Sequence, residues 1–436
     1  MQRIVWALSI AGLAALAGCG GGEEDNFPAL TPFSGELSDR LHQIRDRVSQ
    51  IRGLPPYQIA IEGTVTTEAL QAISKEQLEA ASEEDKARLS AYDVVLKMLG
   101  LIGKDQDLSQ LITEGETSLI AGIYFPKVDR LALVAGEHEI DVLHELTLAH
   151  EYTHSLQDGA YDIEKLRETW EESDLEKDGY TQYSETLDCL IEGDAELTER
   201  LYAEQVFGAD WQQKVAEAFA ARGPTQGEEL PPFVRRAFSF NYGDCPLFVQ
   251  QLYEEGGWQA VNDAYSNPPA TTEQILHVDK YKARELANTT VPEDLTEQLK
   301  DWEMLDSSQF GEFDVYNYVL TLAGDPFTAL VAAQGWGSGW STVYRDKANP
   351  ARAVVQLSFG WDSENDLTEF LVSYAAILGA LTAQVEPVGD KGDARWTAEG
   401  QFGALSLNRV GSRVEIRIAT DADALKMATT DLEGFD

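Results

Sequence analysis

The chain has 436 residues, with 33 Lys or Arg against 75 Asp or Glu and a formal net charge of −42. That balance excludes nucleic acid as a partner, because no basic face is available to release counterions from phosphate; it reads first as a solvated acidic surface, and equally suits encounters with cationic peptides or adaptation to high salt. The length suffices for one large core or two ordinary ones, and 43% hydrophobic content supports a globular fold throughout.

The first segment, Met1 to Cys19, carries one basic residue, Arg3, then an apolar run from Ile4 to Ala15, then Leu16-Ala17-Gly18-Cys19. The run is too short to span a bilayer. Leu-Ala-Gly-Cys resembles the lipobox of bacterial lipoproteins, which implies loss of residues 1–18, a lipid on Cys19 and an extracytoplasmic, membrane-anchored protein. Residues 19–34, opening with Gly20-Gly21-Gly22-Glu23-Glu24-Asp25-Asn26, then read as a flexible tether. Elsewhere no run approaches the roughly 18 apolar residues of a spanning helix, so the expected anchor is the lipid alone. In an oxidising compartment Cys189 and Cys245 form either a bridge or two buried thiols.

Periodicity predicts a helix over Leu37 to Arg52, ended by Gly53 and Pro55-Pro56, a strand over Tyr57 to Val65, and helices over Thr66 to Ser74 and Glu83 to Leu99. Between Ala121 and Val134 the pattern gives two short strands joined by a turn around Pro126 to Asp129.

Next comes the pentad His150-Glu151-Tyr152-Thr153-His154. On a helix, positions i and i+4 share a face, so both imidazoles can address one ion while Glu151 reaches a water beside it. This is the pattern of a zinc hydrolase, in which three protein ligands leave a fourth position open. The third ligand is expected downstream, where Ser184 to Leu197 reads as a helix and Glu192 borders its apolar side. His-Glu-x-x-His followed by Glu192-Gly193-Asp194-Ala195 resembles the gluzincin metallopeptidases. The resemblance implies His150, His154 and Glu192 as zinc ligands, Glu151 as the catalytic base, and Glu196, or else Asp194, as support for a histidine. It also implies that the strand before the active-site helix is an edge along which an extended peptide lies.

Trp211 to Ala221 and Cys245 to Tyr253 read as further helices, and the helical region closes near Tyr281. Gluzincins supply an oxyanion donor from beyond the third ligand, and His277 is the catalytic candidate, with Tyr281 behind it. His42, His138 and His144 read as surface or packing residues. After an acidic connection over Val291 to Lys300, helices (Tyr316 to Leu322, Leu367 to Leu381) mix with strands (Ala353 to Phe359, Gly403 to Leu407, Arg413 to Ile418). Gly335-Trp336-Gly337-Ser338-Gly339-Trp340 reads as a Gly-rich turn whose tryptophans pack between domains rather than line a cleft.

His-Glu-Tyr-Thr-His, Glu-Gly-Asp-Ala and Thr272-Glu273-Gln274-Ile275-Leu276-His277 together resemble a group of poorly characterised bacterial extracytoplasmic lipoproteins. The expectation is an α+β protein: a zincin-like peptidase domain over 35–300, mostly helical after the active-site helix, and a smaller α+β domain over 301–436. Function follows as a lipid-anchored zinc peptidase acting on peptide or protein substrates, with no oligomerisation signal. The rival is a peptide-binding or chaperone-like lipoprotein that keeps the zincin fold without turnover. The intact Glu151 argues against the rival, as does the lack of a fourth Cys or His ligand against a purely structural zinc site.

Overall fold

The computed structural model describes residues 29–429 except 34–35, 120, 135–140, 172–181, 223–229, 289–291, 388–394 and 401–402. The expected signal peptide, Cys19, most of the tether and His138 lie outside the described residues. The chain is a mixed α+β protein with two separate sheets.

Its first half opens with β1 (Thr31–Pro32), α1 (Glu36–Arg52), β2 (Ile61–Val65), α2 (Thr67–Ala80), α3 (Glu83–Met98) and α4 (Leu108–Leu119). The strand expected from Tyr57 begins only at Ile61, because β4 (Arg130–Val134) offers ladder partners to Ile61 through Val65 and to nothing before them. Beside β4 runs β3 (Gly122–Phe125), antiparallel, and the sheet order β1-β2-β4-β3 leaves β3 at an edge. A short 3₁₀ turn at Pro126–Val128 joins the two, with Asp129 in the left-handed region at φ 47°.

α5 (Val142–Tyr161) carries the pentad. Asp141 caps it, accepting from the His144 amide while the His144 ring accepts from the Asp141 amide, so His144 acts as the return half of a capping box. α6 (Ile163–Glu171) follows, then α7 (Tyr183–Phe207), α8 (Trp211–Arg222) and α9 (Pro232–Ser266), the last broken by Gly257 at φ 64°. α7 is buried on nearly every side, lying between α5 and α9. Two devices hold it. Gly193 lies so close to α9 that a Cβ there would stand 2.5 Å from the Cys245 carbonyl oxygen. The Cys189–Cys245 disulfide joins the same two helices, so of the two alternatives the bridge is the one formed.

The bridge closes a loop with a sequence separation of 56. By the chain-entropy account its removal costs about 4 kcal/mol. Cys189→Ala with Cys245→Ala should therefore lower the denaturant midpoint by that equivalent; an unchanged midpoint would show that the bridge adds nothing to packing already in place.

α10 (Thr272–Leu276) and α11 (Val278–Ala283) lead to the second half: β5 (Trp302–Gln309), α12 (Glu312–Ala323), α13 (Pro326–Ala333), β6 (Trp336–Asp346), β7 (Ala353–Trp361), α14 (Glu364–Leu381), β8 (Thr382–Pro387), β9 (Arg395–Gly400), β10 (Gly403–Val410), β11 (Arg413–Ala419) and α15 (Ala422–Ala428). All strand pairs here are antiparallel, in the order β5-β6-β7-β11-β10-β9-β8.

The segment expected to be a Gly-rich turn is a correction. Only Gly335, at φ 71°, turns the chain; Trp336 onward is strand β6, because β7 supplies ladder partners from Trp336 and β5 joins on the other side from Trp340. Trp336 is wholly buried and donates to the Phe310 carbonyl, so it packs, as does Trp340. The seven-stranded sheet starts at Trp302, and one apolar cluster runs across residue 300, where the sequence suggested a division. Leu89 to Ile112 of α3, α4 and their connection, Leu230 just before α9, and Phe233, Val234 and Phe238 at its start share one apolar cluster with Val315, Phe359, Phe370 and Ile416.

Candidate metal centre

α5 and α7 cross so that His150, His154 and Glu192 face one another, with His150 and Glu192 buried. His150 Nε2 lies 3.2 Å from Glu192 Oε2, and His154 Nε2 lies 3.7 Å from Glu192 Oε1. One ligand atom from each of the three falls within 4.8 Å of the others. Donors about 2.0–2.2 Å from a single tetrahedral ion stand about 3.4 Å apart, so the two histidine–carboxylate separations are of the size that ligands of one metal ion would have.

Each imidazole is oriented from behind. Gln157 Oε1 accepts from His154 Nδ1 at 2.9 Å and its Nε2 donates to the Ile191 carbonyl, which leaves His154 Nε2 directed at Glu192. His150 Nδ1 faces Glu199 Oε2 at 3.4 Å and Glu196 Oε1 at 3.6 Å. Of the two supports expected from sequence, Glu196 is therefore beside a histidine. Asp194 is not: it takes a bidentate, fully buried contact from Arg52 and a hydrogen bond from the Tyr265 hydroxyl, tying α1 to α7 and α9. Glu199 was missed, although 192, 196 and 199 repeat at i, i+4, i+7 on one helical face.

The charges reinforce one another. Burial drives Glu192 up, but the neighbouring His154 and His150 outweigh it and hold the carboxyl below its ordinary value. Burial acts to lower His150, and the surrounding Glu192, Glu199 and Glu196 carry it well above normal instead. Burial, and then the adjacent Glu199, push Glu196 up to about 8.

Glu151 is buried, and its Oε2 accepts from the Tyr124 amide of β3 at 2.7 Å. The close approach depends on Gly122, where a Cβ would stand 2.6 Å from Thr147 Cγ2 and 3.1 Å from Glu151 Cγ. Burial raises the Glu151 carboxyl, which moves it toward accepting a proton. A cleft of about 590 Å³ opens over the cluster, lined by Gly122, Ile123 and Tyr124 of β3, by α5, and by residues of α6 to α9.

His277 is a correction. It is not among the described residues lining that cleft; α10 packs against α12, and the His277 Nε2 lies 2.9 Å from Glu312 Oε1. Tyr281, its alternative, spends its hydroxyl on the Asn267 carbonyl. The residue that does border the cluster is Tyr242 of α9, whose ring centroid lies 6.4 Å from that of His150. Burial and the surrounding Glu192 and Glu196 raise its hydroxyl well above the normal range, so it stays a neutral donor. No local sequence signal marks Tyr242, since only the fold of α9 over α7 brings it there.

A second acidic group, Glu273, Glu285 and Asp362, is already bridged by a cation of the chain: all three meet the Lys280 ammonium.

Residues 298–429 match a family model described as a domain of unknown function (DUF8575). That stretch holds the seven-stranded sheet and none of the metal cluster, so DUF8575 says nothing of the chemistry at His150. No curated protein matches the chain. No solved structure matches it either.

Proposed function

We propose that the protein is a zinc-dependent peptidase of zincin type, lipid-anchored outside the cytoplasm, with His150, His154 and Glu192 as the zinc ligands. The observation that carries the reading is the coincidence, in one cleft, of a three-donor cluster, a buried carboxylate one residue from a ligand, and a strand that stands at the edge of its sheet among the described residues, with its Tyr124 amide given to that carboxylate. Any one of these is common; hydrolysis of an extended peptide needs all three together. The Cys189–Cys245 bridge fits an oxidising compartment, and no described helix is long and apolar enough to cross a membrane.

The edge of β3 binds the backbone of an extended peptide by main-chain hydrogen bonds, which sets the scissile bond over the cluster. Zinc, when bound, supplies Lewis acidity toward a water and the scissile carbonyl. Glu151 takes the proton from the attacking water and returns it to the departing amine. Its bond from the Tyr124 amide holds the carboxylate in place for both transfers. The Tyr242 hydroxyl donates to the oxygen on which negative charge grows, the role that sequence assigned to His277.

The reading is tested by metal analysis of the purified protein together with cleavage of a random peptide library before and after chelation. One zinc per chain and chelator-sensitive cleavage are expected. Zinc binding with peptide binding but no cleavage would leave the peptide-binding lipoprotein in its place. Tyr242→Phe should keep zinc and lower kcat by roughly a hundredfold to a thousandfold, the cost of one oxyanion donor; unchanged turnover would remove Tyr242 from the chemistry.

A further inference from the structure

A separate cavity of about 340 Å³ opens on the seven-stranded sheet, and none of its residues lines the cleft over His150. Ser338, Ser412 and Arg413 give it two hydroxyls and a guanidinium, Asp362 a carboxylate, and Leu286 and Trp361 an apolar wall. The strand register makes the space. Ser338 of β6, Gly360 of β7 and Arg413 of β11 stand side by side on one face of the sheet, and the middle position has no side chain. A Cβ on Gly360 would stand 2.6 Å from Ser338 Oγ and 3.5 Å from Arg413 Cγ. Arg413 is half-buried, its Nη1 is buried with no hydrogen-bond partner, and among the described residues its guanidinium forms no ion pair. A charged donor withdrawn from water and left unpaired is costly, and in a chain with 75 acidic residues the cause is not a shortage of carboxylates. The nearby acids are already held. Asp362 Oδ2 accepts from Lys280 Nζ at 2.6 Å, while Glu415, two residues along the same face of β11, accepts from Ser358 Oγ at 2.5 Å and from Gln356 Nε2 at 3.3 Å. Beside Glu415 in register, Asn408 is 2% exposed with neither of its amide atoms bonded. This face of the sheet therefore carries more polar capacity than the chain itself satisfies.

We propose that this cavity binds a small molecule with one carboxylate and a short apolar body: the Arg413 fork and the Ser338 and Ser412 hydroxyls take the carboxylate, and Leu286 and Trp361 cover the body. Its volume lies at the lower end of the range for small-molecule sites, which are concave and carry a few placed polar groups. By shape a guanidinium accepts a carboxylate or a phosphate equally well. Charge separates the two. Asp362 in the same wall repels a dianion more than a monoanion, and the net charge of −42 acts in the same direction. The site stands independently of the hydrolytic reading, and it lies mostly within the stretch that the family model matches.

The test is calorimetric titration of the purified protein with isovalerate, its neutral counterpart isovaleramide, N-acetyl-leucine and inorganic phosphate. Isovalerate is expected to bind with Kd about 1 mM or tighter, as a fragment-sized ligand does, and isovaleramide at least about tenfold more weakly. Arg413→Lys keeps the charge but loses the fork, so it should weaken isovalerate about tenfold, and Arg413→Gln should abolish its binding. Asp362→Asn removes the repelling charge and should tighten isovalerate about threefold, a gain that misfolding cannot produce. Thermal midpoints without ligand check that each variant folds. Tighter binding of isovalerate or of N-acetyl-leucine supports the carboxylate site in either case, and the order tells a free acid from the end of a peptide. Phosphate bound more tightly than both carboxylates, equal binding of acid and amide, unchanged affinity in Arg413→Gln, or no binding by any of the four overturns the proposal.

Discussion

Glu151→Gln is expected to lower peptide hydrolysis by roughly a hundredfold to ten-thousandfold while zinc content stays at the wild-type level. The amide keeps the size and shape of the carboxylate but cannot accept the proton of the attacking water. Neither imidazole nor Glu192 is touched by the change, and the Tyr124 amide can still donate to the new carbonyl oxygen. Steady-state kinetics on a cleaved library peptide, with zinc counted in the same sample, separates loss of chemistry from loss of metal. A variant that cleaves at the wild-type rate would show that Glu151 is a buried structural carboxyl.

Glu192→Ala is expected to weaken zinc binding by more than about a hundredfold, beyond what the loss of a supporting hydrogen bond costs. Glu192 is 2% exposed and is the one residue whose two carboxylate oxygens reach both His150 and His154, so its removal leaves two ligands and an unbalanced pair of rings. Glu196→Ala should weaken binding only by about tenfold to a hundredfold, because Glu199 remains at His150 Nδ1. Zinc titration against a chelator of known affinity ranks the two. Full zinc retention by the Glu192 variant would move the third ligand elsewhere and remove the support for the zincin reading.

Gluzincins place an oxyanion donor downstream of the third ligand, and His277 satisfied that rule by sequence position alone. Sequence distance does not fix direction in space: α10 follows the turn after α9 and packs on α12, so His277 meets Glu312 instead. The tryptophan-rich segment failed for a related reason. Glycine frequency signals a turn, but Gly339 pairs with Phe359 of β7 and Gly337 lies at an irregularity in the same ladder, so pairing outweighs local propensity.

By itself the sequence determined what depends on spacing along one element. The turn from His150 to His154, the adjacency of Glu151, and the repeat from Glu192 through Glu196 are fixed by the 3.6-residue period of a helix, whatever surrounds it. The strand before the active-site helix was legible too, from a short apolar run bounded by Pro126. Tertiary structure alone decided what depends on how elements cross. Gly193 lets α9 close on α7, the disulfide holds the two together, and the crossing of α7 over α5 brings Glu192 to both histidines. The same packing delivers Tyr242 to the cleft and joins residues on both sides of position 300 in one core. Such contacts come from surfaces distant in sequence, and no periodicity along the chain encodes which surfaces will meet.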